Sequence, residues 1–96
     1  MQSSFNLRLP DPFRTNSGNI AENWERFRDQ FENYVLAADL TDTSAEKRAA
    51  IFLTCLGGEG YDTYRSLSLP ADDKKDVSKL IDAFEKFCVG SVNVTY

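Results

Sequence analysis

The chain has 96 residues, 42% hydrophobic and 27% charged, enough for one modest core and too apolar for a disordered tail. Its net charge of −4 argues against the basic face that binding a phosphate backbone requires, and its densest basic spots, Lys47-Arg48 and Lys74-Lys75, have acids beside them. No apolar run approaches the roughly 18 residues of a membrane span, and MQSSFNLRLP lacks the apolar segment of a signal peptide. Gln2 stands where myristoylation needs glycine. Cys55 and Cys88 lie within apolar helical patterns and read as reduced, buried thiols. These features describe an intracellular, cytoplasmic protein with no membrane partner and no direct nucleic-acid partner.

Residues 1–18 are expected to form an extended N-terminal arm, a disordered arm being the alternative. Phe5, Leu7 and Leu9 alternate with polar residues, Pro10 and Pro12 stop regular pairing, and Phe13 precedes a turn-rich TNSG. The apolar side chains of the arm are expected to lie on the helices. A first helix starts at Asn19, with Glu22 completing a capping box, and ends near Ala38 to Leu40. Its apolar stripe comprises Ile20, Trp24, Phe27, Phe31, Tyr34, Val35 and Ala38.

A second helix is predicted from the capping box Thr43-x-x-Glu46. Phe52, Leu53 and Leu56 mark its buried side, Ile51 and Cys55 widen that side, and Gly57 supplies a left-handed stop. A third, short helix runs from about Glu59 to Ser66, with Gly60 favouring a 3₁₀ start. The fourth begins near Asp76 and carries Val77, Leu80, Ile81, Phe84, Phe87 and Cys88 at a period near 3.6, with Gly90 as its stop. Residues 91–96, SVNVTY, read as the start of a linker. The fold class is all-α: a small bundle of four to five helices over residues 19–90, preceded by the arm. Its expected core is Trp24, Phe27, Phe31, Phe52, Leu53, Leu56, Tyr64, Leu80, Ile81, Phe84 and Phe87.

Little in the chain offers chemistry. Without histidine it lacks the commonest general base and most zinc-site ligands. The GGEG at 57–60 lacks the Lys-Ser/Thr of a phosphate loop and follows a helix, so it reads as a helix stop. Asp39, Asp42, Thr43 and Glu46 lack the glycine and final glutamate of a calcium loop and read as turn and cap residues. The expectation is a non-enzyme with no catalytic, cofactor or metal site. The aromatic stripe reads first as core. Phe5, Leu7, Leu9, Phe13, Tyr34 and Tyr61 form a candidate groove for the arm or a short peptide.

The order of these residues resembles a known family. Trp24, Phe27, Phe31 and Tyr34, then Phe52-Leu53 through Gly57-Gly58 to Tyr61 and Tyr64, then Leu80, Phe84 and Phe87 are similar to the N-terminal lobe of the Gag capsid protein of Gypsy-type retrotransposons with long terminal repeats, and to domesticated relatives such as Arc. The opening LPDPF is similar too, and the likeness covers about residues 9–90. It implies a helical capsid lobe with a second lobe downstream. In the family such lobes meet one another around capsomers, and in Arc-like relatives they can also hold short peptides.

Two functions follow as expectations. The first is a structural domain that builds capsid-like shells, or virus-like particles, through contacts with its own copies. The alternative is a domesticated lobe acting as a peptide-binding interaction module. A generic helical interaction domain unrelated to capsids is the plainest third option.

Overall fold

The computed structural model describes residues 8–90. Phe5, Leu7 and the linker expected at 91–96 lie outside the described residues. Four α-helices account for most of the rest: α1 (Ile20–Ala37), α2 (Ala45–Cys55), α3 (Gly57–Ser66) and α4 (Val77–Cys88), with a 3₁₀ turn at Asp73–Lys75 before α4. There is no strand among the described residues, and the chain is all-α as its sequence suggests.

Local signals explain the helix ends. Asn19 is extended and accepts the Glu22 amide at 3.1 Å, satisfying one orphan donor of α1. Asp76 does the same for α4, accepting the Ser78 amide at 2.9 Å. The predicted cap of α2 is displaced by one residue. Thr43 donates its hydroxyl to the Leu40 carbonyl at 2.6 Å, and Ser44 accepts the Lys47 amide at 3.0 Å as the true cap. At the end of α1, Asp39 takes the left-handed conformation at φ 61. The Leu40 and Asp39 amides then bond back to the Val35 and Leu36 carbonyls.

Gly57 adopts φ 79, as its position at the end of α2 suggests. The chain does not pause there. It enters α3 at Gly57, two residues earlier than expected, and runs as α-helix throughout with no 3₁₀ start. The angle between α2 and α3 is therefore made at one residue. A side chain at Gly57 is doubly disfavoured, since an added Cβ would stand 2.6 Å from the Cβ of Pro12.

The core is a cluster of six aromatic rings. Trp24 stacks on Phe84 with centroids 5.4 Å apart, joining α1 to α4. Phe52 of α2 meets Trp24, Phe27, Phe31 and Phe84 edge-on at 5.2–6.2 Å. The sixth ring is Phe13, which packs against Trp24, Phe27 and Phe84 at 5.7–6.0 Å. Leu56 and Leu80 are fully buried alongside. Leu53, Tyr64 and Ile81 flank the cluster, half-buried.

Two core assignments change. Phe13 is not a groove residue: it is 1% exposed, a core ring contributed by a non-helical segment. Phe87 is not a core residue. It lies in the last turn of α4, lines an open hollow with Leu67 and Leu69, and is 49% exposed. Helical period gives the direction of a side chain but not how far neighbouring elements extend to cover it.

Truncation should separate the two phenylalanines. Phe13→Ala is expected to lower unfolding free energy by about 3–5 kcal/mol, and Phe87→Ala by less than about 1 kcal/mol. Urea unfolding followed by circular dichroism measures both.

Candidate functional site

The arm is held at several points, and most of them are polar. The Phe13 amide donates to the Leu56 carbonyl at 3.0 Å, pairing an acceptor that the abrupt end of α2 leaves open. The amides of Thr15 and Asn16 both donate to Oε1 of Glu59, at 2.8 and 3.2 Å. On the α1 side, Nδ2 of Asn23 donates to the carbonyls of Arg14 and Ser17, and Gln30 accepts the Asp11 amide at 3.3 Å. The arm is thus tied to α1 on one side and to the α2–α3 junction on the other.

Where the arm leaves the core it borders two hollows. One, of about 520 Å³, lies between α1 and α2 and is walled by Leu9, Tyr34, Ala50, Ile51, Thr54 and Cys55, with Glu46 and Lys47 beside them. The other, of about 370 Å³, is on the far side of Leu9 and adds Arg8, Pro10, Gln30 and Asn33. Leu9 and Tyr34 border both. Leu9 is half exposed and Tyr34 half buried, and of the six residues expected to form a groove these two come together here.

The other predicted groove residues are elsewhere. Phe13 has withdrawn into the core. Tyr61 is on α3, its ring 5.3 Å from that of Tyr64, in a hollow of about 520 Å³ shared with Arg65, Ser68, Leu69 and Lys74. Phe87 walls a further hollow with Leu67 and Leu69, where the charged residues are Asp73, Lys79, Asp82 and Lys86.

Electrostatics follow from these positions. The two arm amides hold the Glu59 carboxyl below its ordinary range, Thr15 contributing most and then Asn16, with Arg14 adding a smaller attraction. Burial pushes the Cys55 thiol up. Burial, and then the nearby Glu85 carboxylate, push the Cys88 thiol up to about 12. Both cysteines therefore stay protonated at neutral pH, the state of a packing residue rather than a nucleophile. Glu85 also joins α4 to α1. Its Oε1 accepts from Nε1 of Trp24 at 2.7 Å and from Nη1 of Arg28 at 2.8 Å, so the buried indole keeps a partner.

Glu59, Asn23, Gln30 and Glu85 carry these connections, and the sequence does not reveal them. Each pairs with a residue whose position depends on the finished fold. No group of three or more His, Cys, Asp or Glu side chains suited to a metal ion occurs among the described residues. No helix is long and apolar enough to cross a membrane among the described residues. No protein-family model, curated protein or solved structure matches the chain.

The Glu59 latch has a pH signature. Its folded pKa lies below the ordinary 4.5, so its contribution is present above the unfolded value and lost as pH falls through the folded one. The Thr15 and Asn16 amide resonances should titrate together with a midpoint below 4.5, and Glu59→Gln should abolish that step. Amide NMR across pH 2–6 measures it.

Proposed function

We propose that the chain is an assembly domain, the N-terminal lobe of a retrotransposon-type Gag capsid or of a domesticated Arc-like relative. It would act in the cytoplasm, building shells through contacts between copies. The observation that carries the reading is the division of labour among its large apolar side chains. Trp24, Phe27, Phe31, Phe52 and Phe84, which bear much of the family likeness, fill the core with Phe13. With that core complete, Leu36, Tyr61 and Phe87 remain exposed on α1, α3 and α4. A shell subunit needs at least two unlike contact faces, and exposed apolar residues on separate elements can supply them.

The chain should therefore associate reversibly as its concentration rises. Sedimentation velocity from micromolar to millimolar protein, with negative-stain electron microscopy of the top range, tests this. Higher-order species are the expected result, and a strict monomer at every concentration and salt would contradict it.

A second reading, a peptide-binding interaction module, is favoured by the α1–α2 hollow. Its walls are mostly apolar, from Leu9, Tyr34, Ala50 and Ile51, and its volume of about 520 Å³ admits one or two side chains of an extended peptide. Titrating short apolar peptides should then move the amide signals of Ala50, Ile51 and Thr54 while leaving those of α4 in place. Unmoved α2 signals at millimolar peptide would contradict it.

A further inference from the structure

The charges of this acidic chain are segregated on its surface. On α1, Glu22, Glu25, Asp29 and Glu32 recur at steps of three and four, and Leu36 continues the row. At 3.6 residues per turn the five fall within an arc of about 80°, away from the buried stripe. All five are exposed, and Leu36, at 69%, is the most exposed large hydrophobic among the described residues. Arg28 beside the row is drawn to Glu85 at 2.8 Å and stands 3.9 Å from Asp29, leaving the row with a net negative charge.

The hollow at the end of α3 has the opposite character. Tyr61, Tyr64, Ser68 and Leu69 line it, its open surface is mostly polar, and Arg65 and Lys74 are its only charged residues. The hollows beside Leu9 and Phe87 each mix acids with bases. Asp73, the acid next to Lys74 in the chain, faces the Phe87 hollow instead. Neither Arg65 nor Lys74 belongs to an ion pair among the described residues. Two cations that form no ion pair among the described residues, with two tyrosines and Leu69 beside them, suit an occupant that brings carboxylates and one aliphatic side chain.

We propose that the occupant is a second copy of this chain, with the acidic row of its α1 docked in the Tyr61–Lys74 hollow. Leu36 of one copy meets Tyr61, Tyr64 and Leu69 of the next, and Asp29 and Glu32 face Arg65 and Lys74. The two faces are different, and each copy carries one of each. The contact is therefore heterologous, and repetition closes a ring or extends a filament rather than stopping at a dimer. This inference rests on the assembly reading and adds which faces meet.

Charge reversal across the contact tests it on the full chain. One variant carries Arg65→Glu and Lys74→Glu, and the other Asp29→Lys and Glu32→Lys. All four positions are exposed, and thermal unfolding by circular dichroism verifies that each variant folds. Each variant alone should associate at least about tenfold more weakly than the parent in sedimentation experiments. Their equimolar mixture should regain association at 1:1 stoichiometry, because each reversed face then finds a complement. Parent association should also weaken as salt rises. Reversals that leave association unchanged would overturn this contact while the assembly reading stands. Loss in both variants without recovery in the mixture would overturn the pairing of these two faces. A parent chain that never associates would remove the contact and the assembly reading together.

Discussion

The bundle depends on one ring supplied from outside its helices. Phe13 lies in an extended segment, yet it touches Trp24, Phe27 and Phe84 and so bridges α1 and α4 at the centre of the core. Burying a phenylalanine stabilises by about 2–3 kcal/mol, whereas fixing the backbone of each arm residue costs about 1–2 kcal/mol. The ring alone cannot hold several ordered residues. This explains why the arm is tied so often: to the Leu56 carbonyl, to the Glu59 carboxylate, and to Asn23 and Gln30. Gly60 completes the fit. A Cβ there would stand 3.0 Å from Leu56 and 3.3 Å from Phe13, so the glycine that weakens α3 locally is what lets the arm approach.

The helices and most of the core were legible because their signals are local. Trp24, Phe27 and Phe31 lie at steps of three and four, and such a row has only one sensible place to face. Asn19 and Asp76 cap where the pattern starts. The α2 cap moved from Thr43 to Ser44 because two adjacent hydroxyl residues offer the same signal and the competing Leu40 carbonyl chooses between them. Phe13 and Phe87 depart from what their sequence positions suggest for a common reason. Whether a ring is covered depends on which distant elements reach it, and neither periodicity nor composition encodes that distance. The candidate groove suffered likewise: Leu9 and Tyr34 do come together, while Tyr61 belongs to a different hollow.

This distribution has a consequence for function. The interior uses its polar groups to close the fold: Glu85 serves Trp24 and Arg28, Glu59 serves the arm, and the two thiols remain protonated. The side chains left over are on the surface, sorted into an acidic row on α1, a cationic aromatic hollow on α3 and an apolar hollow between α1 and α2. Surfaces sorted in this way are what the proposed assembly would draw on.

Phe13 is thus an integral part of the core and not a passenger on it. Native-state hydrogen exchange at the Phe13 amide tests it most directly, because that amide is bonded to the Leu56 carbonyl. If the arm and the bundle open as one unit, Phe13 will exchange with the same opening free energy as the central amides of α1 and α4. Exchange several kcal/mol easier than theirs would show that the arm detaches on its own and would contradict the account.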